Sequence, residues 1–214
     1  VNVESMLRRS LFAPLMVCLL LGLAPNAASA ADIIDQWSSV TIPSPPPLQP
    51  VTVDPATTAV LVLDFVKQTC NEKDRPRCIA SLPAEARLLK AARASHATVI
   101  YSGVVTATPA DILPQVAPVA GEPFVKSHAD KFIDTDLEQI LKSKGIKTVI
   151  VTGTTAQGAV LYTASHAALI GYNVIVPVDG MSAESLYPEQ YVAWNMLHAP
   201  LGKCTLTRID MLKF

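Results

Sequence analysis

The stretch Ala59-Val60-Leu61-Val62-Leu63-Asp64 decides how this chain folds. Its five apolar residues run without polar alternation, so both faces must be covered. That is the pattern of a strand inside a parallel sheet. The run closes on an acid. In parallel α/β sheets ligands bind beyond the carboxyl ends of the strands, so Asp64 stands where a site residue is expected. An aspartate that only caps a turn would occupy the same place, and position alone leaves the two readings even.

Downstream of this strand the pattern alternates. Pro83 sits where a first helical turn would start, and Leu88, Leu89 and Ala92 give a helical stripe to about Ser95. Thr98-Val99-Ile100-Tyr101 reads as a second strand. Val104 to Pro123 holds prolines 109, 114, 118 and 123 and is expected to be irregular. Thr135-Asp136-Leu137-Glu138 reads as a capping box, opening a helix with Leu137, Ile140 and Leu141 inward and Gly145 as its stop. Thr148 to Val151 is the third strand, followed by a helix from about Thr155 to Ile170 that Gly171 ends. Asn173 to Val178 is the fourth strand, Tyr187 to Leu197 a helix, and Thr205 to Leu212 a last strand. Apolar strands alternating with helices imply an α/β domain over residues 51–214, a parallel sheet with helices on both faces. Asp64 and the segment Gly153 to Ala159 then share one crevice.

Composition narrows the function classes. The chain has 214 residues, with 17 Lys and Arg against 18 Asp and Glu. A net charge of −1 carries no basic footprint, so no nucleic-acid partner is expected. Half the residues are hydrophobic and only 16% charged, too apolar for a disordered chain. Residues 1–30 read as an export signal: Met6-Leu7-Arg8-Arg9 is basic, Leu11 to Leu23 apolar, and Ala28-Ser29-Ala30 a small-residue cleavage site. A lipoprotein signal at Cys18 is the rival, but Val17 is bulky where a small residue is wanted. The expected product is periplasmic or secreted, with no stable membrane anchor after processing. Residues 31–50 form a proline-rich arm, with prolines 43, 45, 46, 47 and 50, expected to be extended and able to lie across a neighbouring subunit.

Several residues outside the first strand have chemistry to offer. Thr152-Gly153-Thr154-Thr155-Ala156-Gln157-Gly158-Ala159 is a small-residue turn whose amides would point from a helix N-terminus into the crevice. Close packing of helix on sheet would use small residues equally well. The chain has no GxGxxG, P-loop or GxSxG motif, so no nucleotide cofactor and no serine-hydrolase elbow is expected. Lys126 and Lys131 precede the capping box, and surface lysines are the default reading. His96, His128, His166 and His198 show no ligand spacing; only His128 lies near the expected crevice, and no metal is expected. Signal cleavage would leave Cys70, Cys78 and Cys204. Cys70 and Cys78 either close a short disulfide loop, which an oxidising compartment favours, or stay as free thiols within it.

The order of these blocks carries a resemblance. Ala59 to Asp64, then Lys126 with Phe132-Ile-Asp-Thr-Asp-Leu137, then Gly145-Ile-Lys-Thr-Val-Ile-Val-Thr-Gly153, resembles the isochorismatase-like (cysteine hydrolase) superfamily. Val160 to Ala164 and Gly171 to Asp179 continue the match. The resemblance implies a Rossmann-like three-layer sandwich, a small-molecule substrate, a homo-oligomer and an aspartate–lysine–cysteine triad. Asp64 matches the aspartate, and Lys126 matches the lysine by its distance from the Phe-x-x-Thr-Asp-Leu block. Counted from Gly153, the nucleophile position falls on Ala159, which cannot attack a carbonyl. The family's metal-binding histidines near the first strand have no counterpart.

Two functions follow from that set. One is an exported hydrolase of a small molecule with no thiol nucleophile, like the isochorismatases proper. There Asp64 is general acid and base, Lys126 tunes it, Thr154, Thr155, Gln157 and Gly158 bind substrate, and amides near Gly158 and Ala159 hold a substrate oxygen. The lysine would favour the charged carboxylate. The other is a non-catalytic small-molecule binder that has kept the pocket.

Overall fold

The computed structural model describes residues 30–214. The export signal expected over residues 1–30 lies, but for Ala30, outside them. Residues 30–43 belong to a unit of their own with one 3-10 turn, Trp37–Ser39. The larger unit is Ser44–Phe214.

Its centre is β2 (Thr58–Leu63), buried along its whole length. Alternate residues feed two cores, as the two-residue period of a strand requires. Val60 and Val62 face α1 (Pro76–Ala94), against Leu82, Leu88 and Leu89. Ala59, Leu61 and Leu63 face α2 (Leu137–Ser143), α3 (Leu161–Leu169) and α4 (Leu186–His198), through residues such as Leu141, Ala164 and Met196. Burying one such valine or leucine contributes about 1.5–3 kcal/mol, so the strand is held from both sides.

The sheet has seven strands, all pairings parallel. Six run in the order β4-β3-β2-β5-β6-β8, made of β3 (Thr98–Gly103), β4 (Phe124–Lys126), β5 (Thr148–Thr154), β6 (Asn173–Pro177) and β8 (Cys204–Thr207) around β2, and short β7 (Met181–Ser182) pairs with the end of β5. A separate two-stranded sheet joins β1 (Val51–Thr52) to β9 (Leu212–Lys213). From β2 the chain winds outward through β3 and β4, then returns to β5 on the other side of β2. The order reverses between β2 and β5, so a crevice opens at their carboxyl ends. Leu63 and Gly153 are register partners there, and a Cβ on Gly153 would lie 2.3 Å from the Leu63 carbonyl oxygen. Gly153 also has φ of 144°. Only glycine lets the two strands converge at this point.

Several boundaries differ from the sequence expectation. The first helix starts at Pro76 and runs through Pro83. An interior proline costs about 3 kcal/mol. The buried face of the helix, from Cys78 to Ala92, offsets that. The capping box does not form. Thr135 instead accepts the Leu137 amide and donates to the Lys131 carbonyl, while Glu138 turns outward to Lys142 at 2.5 Å. Strand β4 emerges at the end of the proline-rich excursion as a sheet edge. The expected last strand splits into β8, a 3-10 turn at Ile209–Met211 and β9. The compact unit takes in the end of the proline arm, because Leu48 packs on the core and Gln49 bonds to Leu206 and Thr207 of this chain's own β8. Cys70 and Cys78 are joined by a disulfide, and Cys204 is a free thiol.

Candidate active site

Asp64 follows the last residue of β2 and leaves the strand with φ of 57°. That left-handed conformation is unusual for a residue with a Cβ and needs surrounding contacts to hold it. Three contacts do so. The Asp64 amide donates to the Ser102 carbonyl at 3.2 Å, the Thr69 hydroxyl donates to the Asp64 carbonyl, and the Ser102 hydroxyl donates to Asp64 Oδ1 at 2.8 Å.

The other carboxylate oxygen meets a lysine. Lys131 Nζ stands 2.8 Å from Asp64 Oδ2 and is wholly buried. The same ammonium donates to the carbonyls of His128 at 2.7 Å, Ser127 at 3.1 Å and Gly103 at 3.4 Å. A buried charge needs this many partners to offset its desolvation. The lysine expected at this place was Lys126, and the structure corrects that assignment. Lys126 ends the edge strand β4, in register with Gly103, and its side chain is exposed. Val125 turns into the core, so strand alternation sends Lys126 outward. Lys131 lies five residues on, in the turn before α2. The legible signal was its position directly before Phe132, the first residue of the Phe-x-x-Thr-Asp-Leu block.

Burial pushes the Asp64 carboxyl above the usual aspartate range. The Lys131 charge, hydrogen bonds from Lys131 and Ser102, and the more distant Arg75 all pull it back, but burial prevails. The lysine favours the charged acid, as expected, but burial outweighs it and the net shift is upward. An acid with a raised pKa beside a fixed cation can both hold and release a proton.

Asp64 opens into a cleft of about 260 Å³. That is smaller than the pockets that enclose drug-sized ligands, so it suits a small molecule. Thr154, Thr155, Gly158 and Ala159 form one wall; Thr69, Arg75 and His128 stand on the others. Ala159 is buried against the cleft in the turn Ala156–Val160 that leads into α3, so an apolar methyl occupies this wall. Thr154 is also buried, and its hydroxyl has no hydrogen-bond partner. Two of the expected substrate contacts are spent elsewhere. Gln157 turns away, its amide nitrogen 2.9 Å and 3.1 Å from the Glu184 carboxylate oxygens, and the Gly158 amide already donates to the Thr155 carbonyl at 3.0 Å. Sequence reasoning missed Ser102, Thr69 and Arg75. Ser102 was a visible signal, a polar residue following the apolar run of its strand and in register with Leu63.

A larger hollow of about 620 Å³, lined by Glu138, Lys142, Tyr172 and Lys203, lies at the amino ends of β5 and β6. It is at the wrong end of the sheet for an α/β ligand site, and it contains no buried ion pair. Among the described residues no group of three His, Cys, Asp or Glu side chains is placed to hold a metal ion. His166 pairs with Asp130 at 2.7 Å, and His198 stacks on Trp194.

Comparison with known proteins agrees with this architecture. The sequence profile of the Isochorismatase domain matches residues 58–208. A secreted isochorismatase effector of Verticillium dahliae is 34% identical over 115 residues, 48% of this chain and 60% of that protein. The N-carbamoylsarcosine amidase of Arthrobacter sp is 42% identical over 84 residues, 36% of this chain and 32% of that protein. The chain thus spans less than two thirds of the length of these curated relatives. Among solved structures, a cysteine hydrolase from Pseudomonas syringae pv. phaseolicola superposes with a TM-score of 0.67 at 21% identity, covering 77% of this chain and 94% of that one. The N-carbamoylsarcosine amidase of Thermoplasma acidophilum gives 0.61 at 22% identity, covering 72% and 97%. At such identities the solved structures share the fold.

Proposed function

The chain belongs to the isochorismatase domain family, and on that premise we propose that it is a hydrolase of a small molecule that works without a thiol nucleophile. The observation that carries the reading is the buried Asp64–Lys131 pair on the cleft, with Ser102 fixing the second carboxylate oxygen. Replacing a buried ion pair by apolar residues is often neutral or stabilising, so the pair does not explain itself as a fold element. Asp64, its pKa raised by burial, gives a proton to the leaving oxygen or nitrogen of the substrate. It takes one back from the attacking water. Lys131 keeps the carboxylate oriented and stabilises its charged form once the proton has gone. Ala159 offers the cleft a methyl group in place of a nucleophile, so water must make the new bond.

Export is part of the proposal. It is supported by the three-part pattern of residues 1–30 and by the relative whose name calls it secreted.

The test is turnover of a panel of small vinyl ethers and N-carbamoyl compounds, followed by mass spectrometry. Asp64→Asn is expected to lower any activity found by about 10²–10⁴-fold. Activity that survives Asp64→Asn would overturn the mechanism. A ligand that raises the melting temperature without ever being consumed would support the non-catalytic binder, the reading that Ala159 favours.

A further inference from the structure

Two arginines of α1 are neutralised by carboxylates. Arg77 makes a two-pronged pair with Glu189 at 2.7 Å and 2.5 Å, and Arg93 a similar pair with Glu122 at 2.8 Å. Arg75 does not. It lines the cleft, half-buried, and makes no ion pair among the described residues. One guanidinium N–H donates to the Thr69 carbonyl at 2.9 Å. The other N–H groups find no acceptor among the described residues.

The chain holds this side chain deliberately in place. The Cys70–Cys78 disulfide brackets the loop. Inside it the Arg75 amide donates to the Asn71 carbonyl, and the Arg75 carbonyl accepts the Cys78 amide, each at 3.0 Å. Thr69, whose carbonyl anchors the guanidinium, sends its hydroxyl to the Asp64 carbonyl. Arg75 is therefore tied through one residue to the reacting acid. Two carboxylates sense its charge, Asp64 and Glu184. Asp64 is already paired with Lys131, and Glu184 is bonded by Gln157. The wall of the cleft is thus left with one fixed, uncompensated guanidinium. In the same cleft the buried Thr154 hydroxyl has no partner, which points independently to an occupant with a polar atom.

We infer that Arg75 is a specificity-determining residue and that the substrate carries a carboxylate which this guanidinium binds. A planar fork of N–H donors matches the two oxygens of a carboxylate, and such charge-assisted bonds are about twice as strong as neutral ones. The inference rests on the cleft being the substrate site proposed above.

The test uses binding rather than turnover, so the two readings can fail separately. Isotope-labelled protein is titrated with benzoate and with benzamide, which have the same shape and differ in charge, and backbone amide shifts are followed by NMR. The wild type is expected to bind benzoate about ten-fold more tightly than benzamide. The shifts should centre on Thr69, Arg75, Thr154 and Thr155. Arg75→Gln is expected to bring the two affinities within about two-fold of each other, while its melting temperature reports that it folds. Equal binding of the two probes by the wild type, shifts centred elsewhere, or a benzoate preference that survives Arg75→Gln would each overturn the inference. Should Arg75→Gln not fold, the wild-type contrast and its shift map still decide. Benzoate preference without hydrolysis of any compound removes the hydrolase reading alone. Hydrolysis of an uncharged compound without benzoate preference removes this one alone.

Discussion

Glu85 supplies the sharpest test of the energetics read from this fold. It lies on α1 facing β5, wholly buried, and its pKa is pushed up from 4.5 to about 8. Burial is the main cause; the Asp179 charge adds to it, and the Thr152 hydrogen bond opposes it. The geometry fits a neutral acid. The Thr152 hydroxyl lies 2.8 Å from Glu85 Oε1 and 3.2 Å from the Leu61 carbonyl, yet it has one hydrogen for two acceptors. If the Glu85 O–H donates to Thr152 and Thr152 donates to Leu61, both contacts are satisfied. The unfolded chain loses this proton near pH 4.5, the folded chain only near pH 8. Stability from Glu85 is thus fully present below pH 4.5, falls as pH rises from there to about 8, and is flat above. A gap of 3.5 units between those two values, at about 1.4 kcal/mol each, makes the total near 5 kcal/mol. Glu85→Gln keeps the size and a hydrogen-bonding amide but cannot titrate. Urea unfolding of both proteins across that pH range isolates the effect, because every other titration is shared. The wild type should lose stability relative to Glu85→Gln as pH rises. Parallel curves for the two proteins would refute the reasoning.

Three further outcomes follow from the site. Lys131→Met strands the buried Asp64 charge and is expected to cost about 3–5 kcal/mol in urea unfolding, whereas Lys126→Met should stay within about 0.5 kcal/mol; the reverse order would restore Lys126 as the site lysine. Ala159→Cys, in a Cys204→Ser background, should give a thiol that titrates below roughly 8.5, because the uncompensated Arg75 guanidinium lines the same cleft and favours a thiolate. Iodoacetamide alkylation against pH measures it, and a midpoint at or above a free thiol would mean that Ala159 only packs the turn. Reducing Cys70–Cys78 should lower stability by about 2–3 kcal/mol, read from unfolding with and without reductant; no change would show that the hydrogen bonds of the loop suffice.

The sheet was legible in the residues alone, because an unbroken apolar run such as Ala59 to Leu63 has no stable place except between two layers. The same reading also placed Asp64 and the Gly153 to Ala159 turn in one crevice, since both follow parallel strands and such sheets bind at their carboxyl ends. Periodicity is local, and it reached no further. Whether Lys126 or Lys131 meets Asp64 depends on where β4 ends and on the turn that brings Lys131 beneath three carbonyls. Separation along the chain hides the choice, because Lys131 is 28 residues from Gly103 and further still from Asp64. The helix that runs through Pro83 was hidden for a related reason: a local penalty stands in the sequence, while the burial that outweighs it exists only once the sheet is built. Arg75 is the extreme case. In the sequence it is one charge in the run Glu72-Lys73-Asp74-Arg75; only the folded loop carries the guanidinium to the cleft and leaves it without a counter-ion.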